Sequence, residues 1–211
     1  MEIKVLKNIL GANEQIAEKN RKLLDKNKVF SLNIMSSPGA GKTSLILQTI
    51  KRLKDKIRIG VIEGDISSSL DAELIGKENV PTVQINTGGA CHLDANMLNN
   101  ALENMPLRDI DLLFIENVGN LVCPAEFVLG AHRKVLVSSV PEGHDKPLKY
   151  PLMFTEVNVV VLNKIDLLPY INFDIEAFTR AVKGLNEKAE VIQVSCTTGE
   201  GLERWLDWLQ S

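Results

Sequence analysis

The first two dozen residues carry apolar side chains at Ile3, Leu6, Ile9, Leu10, Ile16, Leu23 and Leu24, set among many charges. That spacing is roughly helical and predicts an amphipathic arm, broken near Gly11, laid on the rest of the molecule or on a partner. From Val29 onward the pattern becomes short apolar runs at 29–35, 57–62, 82–85, 112–115, 135–140, 157–162 and 191–194, each the length of a strand. Helix-like segments fall between them near 42–55, 68–77, 94–104, 173–187 and 200–210. Apolar strands alternating with helices predict an α/β fold, a mostly parallel sheet with helices on both faces. The expected organisation is a helical arm over residues 1–28 and one domain over 29–211. The stretch 141–151, bounded by prolines and carrying Asp145 and Lys146, reads as a long surface loop.

A chain of 211 residues, 45% hydrophobic and 24% charged, suits one large domain with a sizeable core. The net charge of −3 gives no sign of the basic face that a nucleic-acid binder displays. No apolar run approaches the ~20 residues needed to span a bilayer. The chain turns polar straight after Met1-Glu2-Ile3-Lys4, without a signal-peptide core. The expectation is a cytoplasmic protein with no nucleic-acid or membrane partner. In a reducing compartment its three cysteines would be buried, reactive or metal-binding rather than paired as disulfides.

Ser36-Ser37-Pro38-Gly39-Ala40-Gly41-Lys42-Thr43 follows a predicted strand and opens a predicted helix, the context of a phosphate-binding loop. Glycines let the backbone wrap a phosphate, and amides at a helix N-terminus attract the anion. The nucleotide-binding set is Ser37, Pro38, Gly39, Ala40, Gly41, Lys42, Thr43 and Ser44. Lys42 would reach the β and γ phosphates and the Thr43 hydroxyl would ligate Mg²⁺. Ser36 stands where the pattern wants glycine, so its backbone must hold an allowed conformation.

Such a loop needs acids at the ends of other strands to hold the metal. Asp65, in Glu63-Gly64-Asp65, and Glu116, in Glu116-Asn117-Val118-Gly119, are assigned to the Mg²⁺ shell with Thr43. Gly119, three residues after the acid, is placed to give its amide to the γ-phosphate and to move after hydrolysis. Asp71 reads as a solvated helix start in preference to a water-orienting base. No glutamine or arginine stands out as a water-positioner, which implies slow turnover or completion by a partner.

Asn163-Lys164-Ile165-Asp166 follows an apolar strand about 120 residues beyond the phosphate loop. A carboxylate at Asp166 accepts from N1–H and the exocyclic amine of guanine, whereas adenine offers neither donor there. GTP is therefore the expected nucleotide. The Lys164 stem would lie along the base and Asn163 would brace neighbouring loops. Ser195 and Cys196, after the last strand, would line the base pocket.

Cys91 and His92 leave the third predicted strand and Cys123 follows the Glu116 strand. Loops after parallel strands gather at one edge, so the three side chains can meet beside the nucleotide. Two thiolates and an imidazole suit Zn²⁺ or Ni²⁺, with a fourth position left for water or another subunit. Spacing alone does not decide between that site and two small buried thiols beside a polar histidine. Cys123 lies four residues after Gly119, so GTP would alter metal affinity, and metal would alter GTP affinity equally. His132 and His144 stand alone in the sequence.

SSPGAGKT at 36–43, EGD at 63–65, GGACHLDA at 88–95, ENVGNLVCPA at 116–125 and NKID at 163–166 together resemble the hydrogenase-maturation GTPase family of nickel-insertion factors. The resemblance runs over most of the chain. It implies a P-loop NTPase G domain that hydrolyses GTP with Mg²⁺ and forms a GTP-dependent homodimer. It also implies nickel or zinc at Cys91, His92 and Cys123, and work with a nickel-delivery partner protein and the [NiFe]-hydrogenase large subunit. Some members carry an N-terminal cysteine motif or histidine-rich stretch. No cysteine precedes Cys91 here and no histidine precedes His92, so delivery would rest on the G-domain site and partners. A urease-type nickel accessory GTPase is the nearest alternative. Its Cys-Pro-His motif is not matched, since Ala125 follows Cys123-Pro124. A non-enzymatic nucleotide-bound scaffold and a cobalamin-enzyme chaperone are further readings; the Cys-His and Cys-Pro pairs point away from the chaperone.

Overall fold

The computed structural model describes residues 2–66 and 70–211, with backbone alone for 2–9 and Leu70. The side chains of Ile3, Leu6 and Ile9, and positions 68 and 69 of the expected second helix, lie outside the described residues. The elements run α1 (Glu2–Asn27), β1 (Phe30–Ser36), α2 (Lys42–Leu53), β2 (Ile59–Asp65), α3 (Leu70–Gly76), β3 (Thr82–Asn86), α4 (Ala95–Glu103), β4 (Leu112–Glu116), α5 (Cys123–Glu126) and β5 (Arg133–Ser139). They continue with α6 (Lys146–Lys149), α7 (Pro151–Thr155), β6 (Val159–Asn163), α8 (Ile175–Leu185), β7 (Glu190–Gln193) and α9 (Leu202–Gln210). Each predicted strand has its counterpart, shifted at the ends by one to three residues.

The strands form one parallel sheet in the order β3-β2-β4-β1-β5-β6-β7. Period-two alternation divides its apolar side chains between two covered faces. Leu32 and Ile34, Val61, Phe114, Val137 and Val161 pack with Leu45, Ile46 and Ile50 of α2 and with Trp205 of α9. On the opposite face Ile62, Leu113 and Ile115 meet Leu24 of α1 and Leu98 and Leu102 of α4. Leu136, Val160 and Leu162 meet Met153, Phe154 and Phe178 of α7 and α8.

Two expectations about local structure are corrected. The arm is one continuous helix through Gly11. A mid-helix glycine costs about 1 kcal/mol against alanine, less than the packing of buried Ala17 and Leu24 further along returns. The stretch 141–151 is not a long loop. Val140–Glu142 makes a 3-10 turn, and α6 and α7 follow. Its prolines sit in first turns, where the missing amide is not required, and Val140 and Pro147 are buried.

Candidate nucleotide and metal site

Chain reversal at the C-terminal edge of β1 depends on two glycines in the left-handed region, Gly39 (φ 75°) and Gly41 (φ 102°). A side chain on Gly41 would also strike the Asn163 amide. Ser36 is the last residue of β1 and keeps an ordinary backbone, so no strain replaces the expected glycine. Its hydroxyl accepts from Lys42 Nζ at 3.1 Å. Ala40 is buried, while Pro38, Gly39 and Ser44 are exposed. Ser37 donates to Glu142, and the Glu142 carboxylate also accepts from Ser139 at the head of the 3-10 turn. Glu142 is a link the sequence reading missed; its signal was a serine followed three residues later by glutamate, a capping box.

Thr43 Oγ1 donates to Glu116 Oε1 at 2.8 Å, and Lys42 Nζ lies 3.8 Å from the same oxygen. Adjacent oxygens around an octahedral Mg²⁺ stand about 2.9 Å apart, so this pair is spaced as neighbouring ligands. The other Glu116 oxygen is buried without a hydrogen-bond partner among the described residues, and so is one oxygen of Glu63. Glu63 is the second residue missed. It is 2% exposed and is registered opposite Glu116 across β2 and β4. Burial pushes its carboxyl up to about 8, with Glu116, Asp65 and Asp71 adding repulsion. Burial likewise raises Glu116 to about 7, against the pull of Lys42 and Thr43. Asp65 ends β2, two residues on along the same face. Carboxylates held this unfavourably fit a hard, oxygen-ligated cation.

Gly119 lies against the phosphate loop, where a Cβ would stand 2.9 Å from Pro38 Cα and 3.0 Å from Pro38 N. The residues expected to read the base are tied together. Lys164 (φ 62°) donates from Nζ to Gly39 O at 2.7 Å. Asn163 donates to Ala40 O at 3.0 Å and accepts from the amides of Lys164 and Cys196. Ser195 Oγ donates to Asp166 Oδ1 at 2.6 Å. Cys196 is half-buried, and burial pushes its thiol up to about 11, leaving it protonated and inert.

On the neighbouring edge, Cys91, His92 and Cys123 offer ligand atoms all within 4.8 Å of one another. The sulfurs are 3.0 Å apart, with Cys91 donating to Cys123, and the Cys91 sulfur lies 3.9 Å from His92 Nδ1. His92 stacks on Phe127, ring centroids 3.9 Å apart, and burial lowers its pKa, which favours the neutral ligating form. The hydrogen bond from Cys91 raises the Cys123 thiol. Asn117 joins the two regions. Glu116 faces α2, whereas Asn117 accepts from the Leu93 amide at 3.0 Å and donates to Asn33 on the opposite face. Asn120 donates to Cys91 O at 3.2 Å. His132 and His144 lie outside this cluster. His132 bonds Ser31 and Asp25, and His144 accepts from the Asp174 amide.

A glycine-rich strand-to-helix loop, an acid at the end of the neighbouring strand and an Asn-Lys-x-Asp loop two strands away define a P-loop nucleotide-binding protein of the GTPase class. The family described as CobW/HypB/UreG, nucleotide-binding domain, matches residues 30–193. The chain is 50% identical to hydrogenase maturation factor HypB of Escherichia coli strain K12, over 96% of this chain and 70% of that protein. Among solved structures, HypB from Archaeoglobus fulgidus superposes with a TM-score of 0.89 at 39% identity, covering 95% of this chain and 98% of that one. HypB from Helicobacter pylori in complex with nickel gives 0.90 at 37% identity, covering 94% of each. The chain belongs to the CobW/HypB/UreG family.

Proposed function

We propose that this protein is a Mg²⁺-dependent GTPase that carries nickel, or zinc, at Cys91, His92 and Cys123 and assists nickel insertion into [NiFe]-hydrogenase. One observation carries the reading: two sulfurs 3.0 Å apart beside an imidazole, one of them, Cys123, on the segment that follows Gly119 against the phosphate loop. Two thiols and a neutral imidazole at the rim of a sheet form an open donor set for a borderline-soft cargo ion.

In this reading Lys42 and the loop amides hold the triphosphate, and Asp166, braced by Ser195, selects guanine. Thr43, Glu116 and Asp65 hold Mg²⁺, with Glu63 behind them. Bound there, Mg²⁺ neutralises charge on the β and γ phosphates. The Gly119 amide faces the γ-phosphate position, so its withdrawal after hydrolysis shifts Cys123 against Cys91. Residues 1–28 act as an arm on the domain 29–211. Two copies pair when GTP is bound, and a nickel-delivery protein and the hydrogenase large subunit are the partners. The protein works in the cytoplasm; no helix among the described residues is long and apolar enough to cross a membrane.

Nickel titrations with GDP and with a non-hydrolysable GTP analogue test the coupling; a several-fold difference in affinity is expected, and equal affinities overturn it. Phosphate release abolished by Lys42→Ala separates a GTPase from a nucleotide-bound scaffold.

A further inference from the structure

Along α1, residues 13, 17, 20, 21 and 24 recur at helical spacing and share one face. Ala17 and Leu24 on that face are buried, as apolar residues should be. Asn13 and Asn20 are not apolar, yet they are only 8% and 1% exposed. A buried amide is normally matched by partners. The Asn20 Oδ1 has none among the described residues, but the remaining groups of the two asparagines do, and those partners are informative. Asn13 donates to Val128 O at 2.8 Å and accepts from the Ala95 amide at 2.8 Å. Asn20 donates to Ala95 O at 2.8 Å and to Leu129 O at 3.1 Å. Each asparagine therefore bridges the same two segments.

Those segments carry the sulfur and nitrogen ligands. Ala95 closes the loop that holds Cys91 and His92, and Val128 and Leu129 close the segment that begins at Cys123. Arg21 continues the second line of contacts, donating to Gly130 O at 2.8 Å and to Ala131 O. Gly130 (φ 93°) lies so close that a Cβ there would meet the Ala17 carbonyl. The helix is seated directly on the second segment.

We infer that Asn13 and Asn20 of α1 are positioning residues of the Cys91–His92–Cys123 site, fixing the distance between its two loops. The inference rests on the metal reading above for its purpose, but its geometry stands without it. Nothing else among the described residues bonds both Ala95 and the 128–129 backbone. Outer-shell residues bonded to a ligand typically change metal affinity about 10- to 100-fold when removed. Asn13 and Asn20 act through the backbone of the two loops and not on a ligand itself, so the low end of that range is expected.

The test uses the full chain carrying Asn13→Ala and Asn20→Ala together. Alanine is the better helix former, so α1 itself is not weakened. Three quantities are measured: Ni²⁺ affinity with the nickel–thiolate charge-transfer band, the rate at which diamide joins Cys91 to Cys123 as a disulfide (located by peptide mass), and GDP affinity. The expected result is nickel binding at least about tenfold weaker with an altered band. Disulfide formation should slow several-fold, with GDP affinity within about twofold of the parent. A folded variant whose band, nickel affinity and disulfide rate match the parent overturns the inference. If the parent itself binds no nickel, the metal reading fails, and the disulfide rate alone decides the role of the two asparagines. Should the double variant not fold, Asn13→Ala, which keeps both Asn20 bonds, is read by the same three quantities.

Discussion

Glu63 and Glu116 occupy register-paired positions on adjacent strands β2 and β4, both turned toward α2, each with one buried oxygen that no described group satisfies. Two carboxyls so placed repel one another whenever both are ionised, and Lys42 near Glu116 offsets only part of this. Glu63→Gln removes one charge while keeping the shape. At pH 9 the metal-free variant should be more stable than the parent by about 1 kcal/mol, a rise in Tm of about 2–4 °C for a chain of this size. Its Mg²⁺ affinity in the presence of GDP should fall several-fold. A lower Tm at that pH would show that the pair is not repulsive.

The same pair sets a pH dependence. Glu63 is raised to about 8 and Glu116 to about 7 from an ordinary value near 4.5. Between about 4.5 and 8 the folded, metal-free chain therefore holds more protons than the unfolded one. Stability must fall as pH rises through that window, by on the order of 1 kcal/mol per pH unit for each titrating carboxyl. Urea unfolding in EDTA from pH 5.5 to 8.5 measures the slope. Saturating Mg²⁺ and GDP should flatten it, because the cation keeps both groups ionised. A slope of the opposite sign counts against the assignment.

In the proposed reading Asp166→Ala removes the acceptor for two guanine donors. It also takes away the acceptor of the Ser195 hydroxyl, which keeps only the bond it accepts from the Thr198 amide. Hydrogen bonds to a charged group contribute about 1.5–3 kcal/mol each. GDP affinity should drop by about a hundredfold or more, while ADP affinity, expected to be weak in the parent, stays nearly constant. Competition against a fluorescent GDP analogue reads both. Retained preference for GDP would place guanine selection elsewhere.

Gly119→Ala introduces a methyl 2.9 Å from Pro38 Cα, a backbone contact that cannot swing aside. Overpacking of this kind costs about 1–3 kcal/mol. The expected outcome is a Tm lower by several degrees and GTP turnover reduced at least tenfold. Unchanged turnover would separate Gly119 from the γ-phosphate.

Cys123→Ser should abolish nickel binding and leave GDP affinity within about twofold, because the Cys123 sulfur bonds Cys91 and Asn120, neither of which is assigned to the nucleotide. Calorimetry with each ligand checks both halves. Full nickel affinity in the variant would remove Cys123 from the ligand set.

The sheet was readable in advance because every strand is a short run of apolar residues covered on both faces. The loops at 36–43 and 163–166 could be placed in advance because their patterns are local: a glycine-rich turn that opens a helix and a polar turn that ends an apolar strand. Glu63 stood in plain view beside Asp65, yet its meaning depends on β2 lying next to β4. Hydropathy does not encode which strands are neighbours. Asn13 and Asn20 were hidden for a related reason. A polar residue on a helix looks like a solvated one until its partners, more than seventy residues away, are in place. The stretch 141–151 misled because prolines that open a turn resemble prolines that interrupt structure.

The sheet order also dictates a schedule for synthesis. β1 is complete at residue 36, yet its flanking strands β4 and β5 are not complete until residues 116 and 139. A growing chain must carry this apolar ribbon unmatched for the 80 residues between 36 and 116, the interval in which such segments are most prone to associate wrongly. The same delay keeps the phosphate loop from taking shape early, so a nascent chain cannot engage nucleotide until β4 and β5 have been translated.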